Sequence, residues 1–209
     1  MGYNKFNLNM ILVALEINPN IKEMLELGNQ VINNKEFNAK ESLGKNYFTS
    51  LGLNHTSIDW NGEDGALKID LTKDVEDGLH NKFEIVTNAG TTEHIRNQYM
   101  SFKNLHNMGK VGCIYVNSLP LDTTQNQKLY DRKTNPHGLY EYNTNFFELL
   151  CEKCGYEVID INTNIGTWPD NHFCNSIYKK IDDSEFMDKD EFNEILKNNT
   201  KFYSKGSNK

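Results

Sequence analysis

The apolar positions of this chain fall in short runs, and nearly every run stops on polar residues or glycine. Met10 to Leu15 is long enough for a helix, and Asn18-Pro19-Asn20 marks its stop. Ile21 to Gly28, IKEMLELG, gathers Met24, Leu25 and Leu27 into a run ending on glycine, the pattern of a buried parallel strand feeding a tight turn. Residues 31 to 46 hold no sustained period, which predicts a flexible or lid-like insertion, followed by a helix ending at Gly52. Two short strands follow, His55 to Trp60 (HTSIDW) and Gly65 to Leu71 (GALKIDL), each carrying an Asp near its end. The next stretch, Lys82 to Ile95 (KFEIVTNAGTTEHI), organises the rest: Phe83, Ile85 and Val86 form a buried strand that gives way to Asn88, Gly90, Glu93 and His94. Thr91 or Thr92 is placed to cap a following helix, with Glu93 in its first turn.

Beyond it, Ile95 to Met108 reads as a helix whose inward face is Ile95, Tyr99, Phe102, Leu105 and His106. A strand at Cys113 to Val116 stops at Ser118-Leu119-Pro120, and residues 121 to 138 form a polar connection too long for a compact domain unless it is functional. Phe146 to Leu150 predicts a helix ending at Gly155, Tyr156 to Ile161 a strand, and Phe173 to Lys180 a last strand. Asp188 to Lys197 reads as a terminal amphipathic helix, and residues 198 to 209 as a frayed polar tail. Strand and helix in alternation predict an α/β fold with a parallel sheet and right-handed crossovers. Strands that end on acids, Asn and His present chemistry at their carboxyl edge, where open α/β sheets bind ligands.

Length and composition narrow the reading. With 209 residues, 37% of them hydrophobic, one domain over 1–209 is expected: an N-terminal helix region (1–20), a core (21–181), and a C-terminal helix and tail (182–209). The net charge of -7 argues against a nucleic-acid partner held by an overall positive field. No apolar run is long enough for a membrane span and no signal-peptide core is visible, so a soluble, cytoplasmic protein is expected. The four cysteines include one CxxC, Cys151 and Cys154; without a second pair it predicts buried reduced thiols on a helix rather than zinc ligands.

The order of these elements and their terminal residues resembles the class I methyltransferases that use S-adenosylmethionine. The resemblance spans roughly residues 20 to 181 and rests on LELGNQ (Leu25 to Gln30), HTSIDW, IDL (Ile69 to Leu71), TNAGTTEH and GKVGCIYVNSLP. FEIVTNAGTTEHI, FKNLH and HGLYEY are also similar to uncharacterised bacterial or viral-type methyltransferase domains. It implies a three-layer Rossmann-like sandwich with a mostly parallel seven-stranded sheet, its last strand antiparallel. It also implies S-adenosylmethionine as cofactor and a set of binding residues. Gly28 lets the backbone approach the methionine part, and Glu26 beside it orients that backbone or attracts the ammonium group. Asn29 and Gln30 follow the turn's one glycine, where the family has two or three, so Gln30 contacts the cofactor by its amide or shapes the loop. Asp59 accepts the ribose diol, Trp60 covers an adenine face, Asp70 with Leu71 meets the adenine amino group, and Asn88 closes the set.

Methyl transfer needs alignment and, for a hydroxyl acceptor, a base. The candidates are His94, at the strand edge beside Glu93, and His137, in the polar PHGLY turn. His106 reads as a satisfied core histidine. A metal around the Glu93-His94 pair would need further Glu or His ligands, which the sequence does not place, so none is expected. The acceptor is expected to be a small molecule with a hydroxyl or amine, such as a glycan or lipid precursor. Two other readings stand beside it: a cofactor- or partner-binding module without transfer, favoured by the single glycine, and, less favoured, a nucleic-acid methyltransferase.

Overall fold

The computed structural model describes residues 2–32, 42–123, 137–165 and 172–204. The first half carries β1 (Gly2–Tyr3), α1 (Lys5–Ile17), β2 (Glu23–Leu27), β3 (Val31–Ile32), β4 (Ser42–Leu43), α2 (Gly44–Ser50), β5 (Asn54–Asp59) and β6 (Leu67–Lys68). The second carries β7 (Phe83–Ala89), α3 (Gln98–Met108), β8 (Gly109–Pro120), β9 (Tyr140–Tyr142), α4 (Thr144–Cys154), β10 (Glu157–Ile165), β11 (His172–Lys179), α5 (Lys189–Asn199) and β12 (Thr200–Phe202). Seven strands form one sheet in the order β10-β11-β8-β7-β2-β5-β6. β11, the last of the seven in the chain, runs antiparallel to both neighbours, while β2, β5, β6, β7 and β8 pair in parallel.

Alternation along the central strands creates the three layers. In β2, Leu25 and Leu27 join the cluster built on Phe102 of α3, Phe146 and Phe147 of α4, and Phe192 of α5. Met24 points the other way, with Ile85 and Val116, onto Leu8, Ile11 and Phe48 of α1 and α2. Each such aromatic or aliphatic side chain, taken wholly out of water, contributes roughly 1.5–3 kcal/mol before ordering entropy is subtracted. The ends of α1 follow local chemistry: Asn4 and Asn7 cap reciprocally, and Asn18 ends the helix just before Pro19. α4 stops at Gly155, whose φ of 64° supplies the left-handed cap.

Several elements depart from the sequence reading. β8 does not stop at Ser118 but continues to Pro120, because Ser118 Oγ donates to Asn175 Oδ1 and Asn117 Nδ2 to Ser176 Oγ across β11. The tail read as frayed holds β12, which pairs antiparallel with β9, a strand the apolar pattern did not mark. β6 is only two residues long, and Asp70 lies beyond it. Two ends of the segment read as a lid are strands: β3 pairs with β1 and β4. Residues 44–46 of that segment open α2, while its residues 33–41 and residues 124–136 of the polar connection lie outside the described residues. The chain leaves β2 for β5 on one side and returns to β7 on the other, so the carboxyl end of β2 is the switch point where a doubly wound sheet opens a crevice.

Candidate active site

A cleft of about 970 Å³ opens at that point, with Gly28, Asp59, Trp60, Leu71, Thr91 and His94 in its wall. The turn after β2 forms its floor. Gly28 has φ 76°, and a Cβ there would meet Gln30 Nε2 at 2.6 Å and Thr91 Oγ1 at 2.8 Å, so glycine is required twice over, by torsion and by space. Gln30 Nε2 donates to the Leu27 carbonyl at 3.2 Å and Thr91 Oγ1 donates to the same oxygen at 2.9 Å. The turn is thus fastened to the strand it leaves and to the loop after β7. Thr91 stands at the cap position of a 3-10 turn, Thr92–His94, but its hydroxyl faces Leu27 and caps nothing.

The acids and polar residues expected at the site divide into two groups. Asp59 sits in the wall: its Oδ2 accepts the Asn29 main-chain amide at 3.1 Å and its Oδ1 that of Asn61 at 3.2 Å. Asn29 Nδ2 reaches Asp64 Oδ2 at 3.0 Å. Trp60 is 79% exposed on the rim, not packed in the core. Asp70 lines the cleft, with its carboxylate held by the Thr72 hydroxyl, the Lys73 ammonium and the Thr72 amide, which lower it to about 2. Glu26 and Asn88 lie behind the wall. Glu26 is fully buried, its Oε1 accepting the Gln30 amide at 3.0 Å and its Oε2 standing 3.4 Å from His55 Nε2, so it shapes the turn from beneath. Asn88 clasps the next turn: its Nδ2 donates to Thr92 Oγ1 at 2.9 Å and its Oδ1 accepts the Thr92 amide at 3.2 Å. Sequence reading missed Thr91, Thr72 and Ile95 as lining residues, since nothing in their local pattern separates them from ordinary loop residues.

At the far wall the structure joins two segments that the sequence leaves apart. The Leu139 amide donates to the Glu93 carbonyl at 2.7 Å, and a Cβ on Gly138 would meet Glu93 Cγ at 2.6 Å. The His137-Gly138-Leu139 turn therefore docks on Glu93 because position 138 has no side chain. His94 Nε2 and His137 Nε2 stand 3.4 and 3.8 Å from the same atom, Glu93 Oε1, and the two rings meet edge to face at 5.1 Å. Burial pushes the Glu93 carboxyl up to about 8, only partly offset by its own main-chain amide. Burial likewise lowers His94. Both shifts have one cause: at this depth burial disfavours the charged forms of the two groups.

No protein-family model matches the sequence, and comparison with curated proteins finds no relative. Solved structures do match. 1,6-Didemethyltoxoflavin-N1-methyltransferase of Burkholderia thailandensis, with bound 1,6-didemethyltoxoflavin and S-adenosylhomocysteine, superposes with a TM-score of 0.58 at 10% identity, over 85% of this chain and 79% of that one. The chain has the class I S-adenosylmethionine-dependent methyltransferase fold. N-methyltransferase NodS of Bradyrhizobium japonicum WM9 matches with a TM-score of 0.55 at 11% identity, over 85% of this chain and 96% of that one. A methyltransferase of Methanosarcina mazei matches with 0.54 at 12% identity, over 87% and 99%. The CxxC residues Cys151 and Cys154 are buried free thiols on α4, with burial raising Cys151 to about 12. Among the described residues no helix is long and apolar enough to cross a membrane.

Proposed function

We propose that the protein transfers the methyl group of S-adenosylmethionine to a hydroxyl or amine of a small molecule. The observation that carries the reading is the wall of one cleft, with Gly28 and the acid Asp59 in one part of it and His94 in another, where His94 is backed by the buried Glu93 and by His137. In this reading the methionine part of the cofactor lies over Gly28, and Asp59 accepts the ribose diol while keeping its bond to the Asn29 amide. Trp60 covers the adenine face from the rim, and Asp70, ionised throughout the working range, accepts the adenine amino group next to Leu71. Glu26 and Asn88 hold the two loops from behind, while Gln30, itself in the cleft lining, fastens the turn to Leu27. The acceptor enters on the side of His94, where its proton leaves; the sulfonium already supplies the electrophile. The cytoplasm is the proposed setting, in keeping with four buried free thiols.

Calorimetry with S-adenosylhomocysteine tests the cofactor half, and incubation with labelled S-adenosylmethionine and a panel of small hydroxylated and amino compounds tests transfer. Saturable binding with a labelled product is expected. Failure to bind the cofactor sinks the reading outright, and binding without any product, across that panel and with nucleic acid, returns the protein to a cofactor-sensing module.

A further inference from the structure

We infer that Glu93, His94 and His137 form a site for one divalent first-row transition-metal ion, open toward the cleft. The methyl-transfer reading above supplies the use of the ion, while the site itself rests on separate observations. The ligand atoms of the three side chains all lie within 4.8 Å of one another, with Nε2 of each histidine 3.4 and 3.8 Å from Glu93 Oε1. Around an ion with bonds of about 2.0–2.2 Å, tetrahedral ligands stand roughly 3.3–3.6 Å apart, so small rotations of exposed rings complete the set.

The decisive feature is the carboxylate. Glu93 is fully buried, and neither of its side-chain oxygens has a hydrogen-bond partner among the described residues. Buried polar atoms are satisfied in the great majority of native sites, and a carboxylate left alone there is costly. The imidazole contacts to it lack hydrogen-bond geometry, whereas an ion held between the three side chains would satisfy the Glu93 carboxylate. The arrangement is also held in advance. Asn88 fixes the turn carrying Glu93 and His94 through Thr92, and the Leu139 amide fixes the turn carrying His137 through the Glu93 carbonyl. The group is nonetheless reachable, since the His94 and His137 side chains are 43% and 31% exposed and His94 lines the cleft. Three protein ligands with an accessible face match a site that leaves positions for substrate, unlike the closed four-ligand sites that only stabilise a fold.

Two imidazoles and one carboxylate select zinc, manganese, iron or cobalt over calcium and magnesium, which take oxygen ligands. In that role the ion suits a hydroxyl acceptor, because a bound oxygen keeps lone pairs free for attack whereas a bound amine has its one lone pair tied up in the metal bond. A hydroxyl bound at the free position gives its proton to solvent, the oxygen then attacks the methyl carbon, and the carbon–sulfur bond breaks to leave the neutral thioether.

The test uses the full chain, stripped with chelator and then titrated by calorimetry with Zn2+, Mn2+ and Co2+, with the Co2+ absorption spectrum as a second readout. One ion per chain is expected, with Co2+ bands of mixed nitrogen and oxygen ligation, and His137→Ala and His94→Ala should each weaken binding by at least tenfold. Unchanged circular dichroism and thermal midpoint in these partly exposed variants keep a folding defect apart from a lost ligand. No saturable ion in the parent protein, or equal affinity in His137→Ala, overturns the site. S-adenosylhomocysteine binding is measured on the same samples: an ion without cofactor binding removes only the methyl-transfer reading, and cofactor binding without an ion removes only the metal.

Discussion

Asp59 Oδ2 accepts the Asn29 main-chain amide at 3.1 Å, and this bond ties the end of β5 to the turn that leaves β2. One carboxylate thus has two tasks in the proposed complex, holding the turn and taking the ribose hydroxyls. Asp59→Ala is expected to weaken S-adenosylhomocysteine binding by on the order of 1.5–3 kcal/mol, the worth of hydrogen bonds to a charged group. Calorimetry on parent and variant reads this directly. Equal affinities would remove the ribose assignment.

Gly28→Ala should be costly to the fold itself. The residue has φ 76°, and the added methyl would press on Gln30 Nε2 and Thr91 Oγ1. An alanine in left-handed backbone costs roughly 1–2 kcal/mol before any clash is counted. Urea unfolding is expected to show a lower midpoint at unchanged slope, together with lost cofactor affinity. A variant as stable as the parent would mean that the turn relaxes to negative φ, and that its shape is not dictated by glycine.

Much of the frame could be read in the sequence because its signals are local. The Asn18-Pro19 stop, the Gly155 cap and the apolar run of β2 announce themselves within a few residues. What could not be read depends on partners far along the chain. Asn117 and Ser118 look like a strand's end until β11 supplies Ser176 and Asn175 to meet them. Tyr140–Tyr142 and Thr200–Phe202 are strands only because they pair with each other, and three residues carry no usable period. The same limit governed the site. Asp59 ends β5, Trp60 and Asp70 follow just past β5 and β6, and all three were legible at the cleft, but no local pattern tells that Gly138 lets His137 settle onto Glu93. The Glu26 and Asn88 side chains were legible as belonging to the right strands, while their direction, behind the wall, follows from packing that sequence spacing alone does not fix.

His106 should make stability depend on pH. It sits between the Tyr156 hydroxyl at 2.6 Å and the Ser184 carbonyl at 2.9 Å, as a satisfied core histidine. Burial first, and the Lys180 charge second, lower it from 6.5 to about 4. Its folded value is depressed, so the unfolded chain binds the extra proton first. The contribution is complete above pH 6.5 and is lost as pH falls from there toward 4, on the order of 3 kcal/mol over the whole window. Urea midpoints measured across this range should fall with acid in the parent and fall less steeply in His106→Gln. Parallel slopes in the two proteins would show that other groups carry the acid dependence.

The final expectation separates two ways in which the far wall can act. If His94 works alone as the base, His94→Ala should lower turnover by roughly 10²- to 10⁴-fold, while His137→Ala stays near the parent. If both imidazoles hold one ion with Glu93, the two substitutions should cost similar factors, because either removes a ligand from the same set. In both cases cofactor affinity should stay close to that of the parent, since neither ring is assigned to the cofactor. Steady-state kinetics at saturating S-adenosylmethionine, beside calorimetry with S-adenosylhomocysteine, distinguishes these outcomes. Adding excess Zn2+ or Mn2+ sharpens the comparison: a weakened metal site regains part of its turnover as the ion is raised, whereas a deleted base does not respond to it. Full turnover in both variants would mean that the acceptor reaches the cleft already deprotonated, and that the enzyme acts by alignment over Gly28 and Asp59.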